Sequence, residues 1–439
     1  MNSGVLMAIT KIAEKFRVRW AGLPFAMIML LTDPSSAATP PAGPPLAPIT
    51  LQSAIATAED ANIDVLRARL AVKTAQAGLR SADTAPNPVL SVNAVQVRPS
   101  RIGNLPYGQV ADTVARVDVP LERGGKRRAR TDAARAMVNA AEDDFSDARR
   151  QMRSAVTDAY FDLKAAEAKL AILTSIADAY AQSTQLAGKQ QRAGGLSEGD
   201  LARQKVEALH ARGDAQQAVS DWHDSQLALA GLIGREADAP TIATASDWPA
   251  GSPPSTEPAD AVALRRPDVR AADARTDAAR KNLDGAHALR YPDVTVGAQY
   301  ERAAGDLGVG SSVGVGFSVP IPVRNRYNGE VDAAGTALVQ AEADARKTLA
   351  TATAEIVIAR RAVDEAGRRR KLFDEEEIPA ARRAAGVAEF AYSNGATSLI
   401  ELLDARRALR ATELGAIDAH SDEAHAIARV RAAESSGDE

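Results

Sequence analysis

The feature that most constrains this chain is a long run without proline, residues 126–193, which begins after Gly124 and Gly125 and stops at Gly194. A continuous helix over these residues would extend roughly 100 Å at 1.5 Å per residue. Charged side chains recur every few residues, which excludes a membrane-spanning helix. The apolar residues recur three or four positions apart: Ala148, Met152, Ala155, Ala159, Leu163, Ala166, Leu170, Leu173, Ala177 and Tyr180. We therefore predict a long helix that packs against other helices in a bundle or a barrel wall.

The composition favours extended helices over a compact globular core. Hydrophobic residues make up 45% of the chain and aromatic residues only 4%, and alanine, the most frequent apolar residue, has the highest helix propensity. A net charge of -4 argues against a nucleic-acid partner. The absence of cysteine from the sequence excludes disulfides, thiolate metal sites and a lipidated N-terminal cysteine.

The first part of the chain has the pattern of a secretory signal. Basic residues within 11–19 precede an apolar segment, 20–31, and small residues follow at 36–38. We predict a signal peptide over residues 1–38, with an uncleaved membrane anchor as the alternative. The proline-rich residues 39–50 are expected to form an extended linker.

The rest of the sequence repeats one order of elements, which are a helix, a β-hairpin, a long helix, a turn and a second helix. Recurring prolines and glycines support the duplication, since Pro88 corresponds to Pro292, Pro120 to Pro320, and Gly195 to Gly395. Repeat 1 is predicted to span residues 51–234, with a hairpin over 89–121 and helices over 126–193 and 197–233. An equatorial linker (235–258) leads to repeat 2 (259–432), which has a hairpin over 293–321, a long helix over 329–394 that bends at Pro379, and a helix over 398–431. The last residues, 433–439, are predicted to form a disordered tail.

The predicted strands alternate apolar with polar residues and have the length of outer-membrane β-strands. The face opposite the apolar one carries charged residues or glycine, as expected for a water-filled lumen. These residues are Asp112, Arg116, Asp118, Gly314 and Gly316. Two soluble hairpins packed on a domain are the alternative, but the remaining chain offers no core for their apolar face. Four strands cannot close a barrel, and membrane β-structure tolerates no open edge. We therefore expect oligomers in which two chains supply eight strands or three supply twelve.

From residue 51 to about residue 432 the sequence resembles the TolC family of outer-membrane efflux factors. Two junctions, PLERGGKR (residues 120–127) and VPIPVRNR (319–326), are similar to the heavy-metal subgroup typified by CzcC. The resemblance implies a mainly α-helical chain that contributes four strands to a trimeric 12-stranded barrel in the outer membrane of a Gram-negative bacterium. A long α-helical barrel would continue the conduit across the periplasm.

The resemblance also implies two protein partners, a periplasmic adaptor (membrane fusion) protein and an inner-membrane pump of the resistance-nodulation-division type. The channel itself would conduct passively. The alternatives are a periplasmic helical scaffold or adaptor, or a channel for drug efflux or type I protein secretion. We find no nucleophile–base arrangement, phosphate loop or paired catalytic acids, and therefore expect neither an enzyme nor a cofactor.

The helix reversals are the candidate adaptor-contact tips. In the family these turns meet the adaptor, although any helical hairpin favours glycine at such a position. The candidate tip residues are Arg192, Gly195, Leu196 and Ser197 in the first repeat, and Gly395, Thr397 and Ser398 in the second.

A pore constriction is suggested by Tyr392, Glu401 and Asp404, which match the family segment that closes the periplasmic end. Glu401 and Asp404 are three residues apart and share a helix face. In a trimer they would form rings of like charge, which raise carboxylate pKa values and attract cations. A solvated helix start is the alternative, since acidic residues are favoured there. Thr397 replaces the family's basic residue, so a latch of the TolC kind is not expected.

Basic residues mark the two strand–helix junctions, which contain Gly124, Gly125, Lys126 and Arg127 in the first repeat and Arg324 and Arg326 in the second. We expect them at the periplasmic membrane surface, with a plain solvated face as the alternative. No metal site is expected, because His420 and His425 lie on different helix faces and the other histidines are scattered.

Overall fold

The computed structural model describes residues 48–97, 102, 110–249, 255–305 and 308–437. The predicted signal peptide (1–38) and most of the predicted linker (39–50) lie outside these residues. The described chain is mostly α-helical with one four-stranded antiparallel sheet, as the sequence predicted. Among the described helices, none combines the length and apolar character needed to cross a membrane.

The first repeat contains the longest helix of the described chain, the 67-residue α3. It spans roughly 100 Å, close to the length expected from the proline-free run. The elements of this repeat are α1 (Leu51–Ala61), α2 (Ile63–Asp83), β1 (Val89–Val95), β2 (Asp112–Leu121), α3 (Lys126–Arg192) and α4 (Glu198–Ile233).

The sequence also predicts one helix over residues 51–84, ended by Pro86, but the structure divides it in two at Asn62. The backbone of Asn62 is extended, and its side-chain oxygen accepts hydrogen bonds from the amides of Asp64 and Val65. Because this side chain caps the start of α2, the chain ends α1 and begins a new helix without a loop.

The second repeat has the same order of elements, preceded by a 3₁₀ turn (Glu236–Thr241) in the linker. They are α5 (Ala259–Ala263), α6 (Pro267–Ala288), β3 (Val294–Gly305), β4 (Gly308–Ser318), α7 (Asn328–Leu372), α8 (Ile378–Ser393) and α9 (Leu399–Glu434). Strand β4 ends before the expected residue 321, because Ser318 already pairs with Thr295 and its partner strand β3 begins at Val294. Helix α9 extends into the tail expected to be disordered, and Arg360 pairs with Glu434 at 2.7 Å.

The bend expected at Pro379 is a π turn, Phe373–Glu377, between α7 and α8. Proline lacks an N–H and clashes with the carbonyl four residues before it, so the wider turn accommodates Pro379 without ending the helical path. The ring of Phe373 lies against Gly415 of α9, where an added Cβ would come within 2.9 Å of the ring.

The sheet has the strand order β1-β2-β3-β4, so the two hairpins are joined through β2 and β3. The paired register places one apolar stripe across all four strands, with Leu90 opposite Val117, Val117 opposite Ala298, and Ala298 opposite Val315. This face is open to the surroundings, and Val315 is 87% exposed. The other face carries the Arg116–Asp118 ion pair and several glycines, as the alternation predicted.

Helix α3 lies at the centre of the helical layer. Near the sheet its neighbours are α2 on one side and α6 on the other, with α7 beyond α6. Toward the turns its neighbours are α4 and α9, with α8 beyond α9. One edge of the layer is therefore formed by α2 and α4, and the other by α7 and α8.

The linker between the repeats packs onto the middle of α3. The buried Tyr160 hydroxyl donates to the carbonyl of Ile49 and accepts from the amides of Ala245 and Ser246. Trp248 stacks between Phe161 of α3 and His420 of α9, with centroid distances of 5.9 and 5.6 Å. The linker thus ties the two repeats together at mid-height.

Candidate functional site

Both helix reversals are exposed turns with a left-handed glycine and a serine cap. Ser197 accepts from the amide of Asp200 at 3.0 Å, and Ser398 accepts from the amide of Glu401 at 3.3 Å. The glycine with positive φ is Gly194 in the first turn and Gly395 in the second. The expected pairing of Gly395 with Gly195 is therefore wrong by one residue, because the left-handed position defines the equivalent sites. The expected tip residues lie in these turns: Arg192, Gly195, Leu196 and Ser197 in the first, and Gly395, Thr397 and Ser398 in the second.

Glu401 lies exposed in the first turn of α9. Its carboxylate accepts a hydrogen bond from the hydroxyl of Thr397. Thr397, where the resemblance led us to expect a basic residue, thus binds the acidic side chain four residues later.

Asp404 follows on α9 and pairs with Arg407 at 3.0 Å. The same guanidinium bonds to Glu207 on α4, and one turn later Arg410 pairs with Asp214 of α4. The Arg407 hydrogen bond holds the pKa of Glu207 below its ordinary value. These pairs were not predicted from the sequence, because residues about 200 positions apart show no pairing signal in one sequence; their members are Glu207, Asp214, Arg407 and Arg410.

A cleft of about 310 Å³ lies between α4 and α9 beside these pairs. Its polar residues are Arg203, Glu207, Asp404 and Arg407, and its apolar residues are Ala202, Val206, Ile400 and Leu403. Val206 and Ile400 are about half exposed, so apolar surface is open at the tip.

Tyr392 is half-buried and packs in a small cluster that joins α3, α4, α8 and α9. The buried members of this cluster are Tyr180, Ala211, Leu399, Leu402 and Leu403. Burial raises the pKa of Tyr180, and the Arg406 guanidinium lies 6.0 Å from the centre of its ring. Among the described contacts Tyr392 is a packing residue, and it is not hydrogen-bonded to Glu401 or Asp404.

The two strand–helix junctions were predicted to be alike, but their basic residues differ in ion pairing. In the first repeat Lys126 pairs with Asp293 at 2.7 Å and Arg127 with Asp83 at 3.0 Å. In the second repeat Arg324 and Arg326 are exposed, and neither has a carboxylate within 4 Å in the part of the chain that the structure describes.

The histidines of α9 each face a carboxylate on another helix. His420 Nε2 lies 3.1 Å from Asp374 Oδ1, and His425 Nε2 lies 3.1 Å from Asp162 Oδ1. Over the described ranges, no three histidine or acidic side chains converge in a way that would hold a metal ion.

The sequence profile of one family, described as outer membrane efflux protein, matches residues 54–235 and again 259–434. The two matched segments cover both repeats. The chain belongs to the outer membrane efflux protein family.

Comparison with individual proteins supports this membership. The chain is 24% identical over 363 residues to the cobalt-zinc-cadmium resistance protein CzcC of Cupriavidus metallidurans, covering 82% of this chain and 84% of that protein. It is 27% identical over 301 residues to the pyoverdine export outer membrane protein OpmQ of Pseudomonas putida, covering 65% and 62%. The fold is similar to the CmeC outer membrane channel of Campylobacter jejuni, with a TM-score of 0.76, 19% identity, and 88% and 86% coverage.

Membership in this efflux family confirms the resemblance drawn from the sequence and the outer-membrane location. The members are channels rather than enzymes. In an outer membrane efflux protein the exposed apolar stripe of the sheet is the lipid-facing surface, and the Arg116–Asp118 face is the inner one. We therefore expect the strand–helix junctions at the periplasmic border of the membrane.

Proposed function

We propose that three copies of this chain form the outer-membrane conduit of a resistance-nodulation-division efflux system and passively export heavy-metal cations. The conduit receives its substrate from an inner-membrane pump through a periplasmic adaptor. The observation that carries this proposal is a membrane-facing sheet that ends in two unpaired strands, β1 and β4.

The open sheet edges support assembly of several copies. Unpaired backbone groups are too costly in a membrane, so β1 of one copy must pair with β4 of the next. Such head-to-tail contacts generate a ring. Eight strands enclose an interior that side chains fill, and three copies are therefore the smallest ring with an aqueous lumen.

The helical edges support the same arrangement. Large apolar side chains are exposed on both edges of the layer, where a neighbouring copy would cover them. They are Ile63, Leu66 and Leu70 on α2, Val206, Leu209 and Leu227 on α4, Val339 and Ile358 on α7, and Val387 and Phe390 on α8. The α2–α4 edge of one copy would pack against the α7–α8 edge of the next, in the same order as the strands.

Heavy-metal export is supported by the alignment with CzcC, because this alignment covers a larger share of both chains than the alignment with OpmQ. Exposed carboxylates at the tip end add a cation-attracting surface, since Glu401 and Asp404 would form acidic rings in the trimer. Export of siderophores or drugs is the second candidate, because the identity to OpmQ is slightly higher over the region aligned.

The adaptor contact is proposed for the two exposed tip turns and the cleft between α4 and α9. The open apolar surface of Val206 and Ile400 in this cleft is suited to the side chains of a helical hairpin. Disulfide cross-linking tests the contact. One cysteine replaces Leu196 or Thr397 in this chain, and the other is placed in the adaptor hairpin. Cross-linking at both turns but not at the mid-helix residue Gly213 is the expected result.

Gene deletion tests the proposed substrate. We expect the deletion strain to lose tolerance to cobalt, zinc or cadmium and to recover it with the wild-type gene. Unchanged metal tolerance with increased drug sensitivity would contradict metal export and favour the second candidate. Fractionation with unboiled gel samples tests the conduit itself, which a soluble periplasmic monomer would contradict.

A further inference from the structure

The two strand–helix junctions occupy equivalent places in the repeats but differ in how their basic residues are used. In the first junction Lys126, Arg127 and Arg130 are each paired with a carboxylate at 2.7 to 3.0 Å. In the second, within the described residues, Arg290 and Arg326 have no carboxylate within 4 Å. Arg123 of the first junction also has no carboxylate within 4 Å among the described residues, so what distinguishes the second junction is that two arginines without an ion pair lie together.

These two arginines line a shared cleft of about 430 Å³ together with Pro322, Tyr327 and Asn328. The guanidinium of Arg290 donates to the side-chain oxygen of Asn328 at 3.1 Å. Among the described residues this is the one hydrogen bond of the Arg290 guanidinium, which carries five N–H donors, so the other donors can bind a ligand.

The turn that carries Arg326 has a defined shape. Tyr327 has φ +60, which is unusual for a bulky residue, and its amide donates to Asn325 Oδ1 at 2.9 Å. Asn325 in turn donates to Glu330 at 3.2 Å. The acidic side chain nearest in sequence is thus bound to Asn325 and leaves Arg326 unpaired.

Apolar surface begins directly beside the cleft. Ile321 and Val323, which flank Pro322 in the sequence, are 79% and 75% exposed. Tyr291, next to Arg290, is also exposed. A basic cleft with an exposed tyrosine at the end of a lipid-facing strand has the amphipathic pattern of a membrane–water border.

We propose that this cleft binds the phosphate of a membrane phospholipid from the periplasmic leaflet. Arg290 and Arg326 contact the phosphate oxygens, a geometry for which the planar guanidinium is well suited. Ile321 and Val323 lie along the acyl chains. The proposal rests on the outer-membrane location and is independent of the substrate that the channel exports.

Native mass spectrometry of the purified full-length oligomer, titrated with phosphatidylglycerol and phosphatidylethanolamine, tests the proposal. Replacing both arginines (R290Q/R326Q) removes two charge-assisted contacts and should weaken phospholipid binding roughly tenfold or more. The matched control R128Q/R135Q removes two exposed arginines near the first junction and should bind like wild type. Equal binding by wild type and R290Q/R326Q would overturn the proposal.

Two further probes identify what is bound. Diacylglycerol with the same acyl chains should bind no better to wild type than to R290Q/R326Q, since it has no phosphate. Inorganic phosphate should not displace the phospholipid, and displacement at comparable concentration would show a free-anion site and overturn the proposal.

A measurement on the unaltered protein avoids any effect of the substitutions on folding. A photoactivatable phospholipid incorporated with the wild-type channel should label the segment that contains Ile321 and Val323. Labelling confined to other segments would contradict the site. Because conductance and metal tolerance are measured separately, a channel that exports normally but does not bind phospholipid would refute this proposal alone.

Discussion

Arg407 of α9 bonds to Glu207 of α4 and thereby joins the last helix of the second repeat to the last helix of the first. The pair lies close to the tips, beside the cleft between the two hairpins. Since Asp404 also bonds to Arg407, one guanidinium connects the predicted constriction residue to the neighbouring hairpin. The position of α9 relative to α4 thus depends on this side chain.

Replacing Arg407 by glutamine should loosen the tip end of the channel. Arg407 is 52% exposed, so we expect only about 0.5 kcal/mol of stability per subunit to be lost, while the wider tip raises single-channel conductance in planar bilayers. R135Q, which alters an arginine that is 61% exposed and lies far from the tip, is the control. Equal conductance of R407Q and wild type would show that the pair does not restrain the opening.

Replacing Glu401 and Asp404 by alanine should raise conductance and weaken block by divalent cations. The physical reason is that both carboxylates are exposed at the tip end and would face their copies in a trimer. Glu198 is an exposed acid at the start of α4, in the other hairpin, so E198A serves as the control. If divalent block were unchanged in E401A/D404A, the constriction assigned from the family resemblance would be wrong.

Stability should depend on pH through His425. The hydrogen bond to Asp162 raises the pKa of His425, so the folded state holds this proton more tightly than the unfolded state. The stabilisation is complete below the unfolded pKa of about 6.5 and is lost as pH rises through the higher folded pKa. Burial also raises the pKa of the adjacent Asp158, which acts in the same direction.

The measurement is the thermal midpoint of wild type and H425Q across pH. The advantage of wild type over H425Q should be largest near about pH 5.5 and absent near about pH 9. H210Q, which alters an exposed histidine of α4, should follow wild type at every pH. A constant difference between wild type and H425Q would contradict the assignment to the His425–Asp162 pair.

Gly124 and Gly125 offer a matched pair at the first strand–helix junction. Both have positive φ, so alanine should cost about 1–2 kcal/mol at either position. At Gly124 the added Cβ would also lie 2.7 Å from the Cβ of Tyr291, whereas at Gly125 it meets nothing within 4 Å. Thermal unfolding should therefore rank stability as wild type above G125A above G124A, and equal losses would argue against the Tyr291 contact.

Much of the architecture could be predicted because its signals are local. The period of two placed Leu90, Val117 and Val315 on one face of the sheet, and the proline-free run after Gly125 predicted α3. Local sequence patterns did not predict how two of the helices are interrupted. Asn62 divides a helix because its side chain caps the next one, and Pro379 is accommodated by a π turn rather than by a simple bend.

The pairing between helices could not be predicted from the sequence. Asp404 and Arg407 are three residues apart on one helix and could be related from their spacing. Glu207 lies 200 positions from Arg407, and no pattern within one sequence shows that α4 and α9 are neighbours at this level. The same reasoning explains why two similar basic junctions were expected, although Asp293 and Asp83 form ion pairs only with residues of the first.

The unpaired edges of β1 and β4 have a consequence for biogenesis. A single copy exposes a row of backbone donors and acceptors on each side of its sheet, and lipid can satisfy neither. For the proposed ring we therefore expect that no stable membrane-inserted monomer precedes assembly, so that insertion and assembly are one cooperative step. A subunit with a defective β4 edge would arrest the whole ring, so a minority of such subunits would deplete functional channels well beyond their own share.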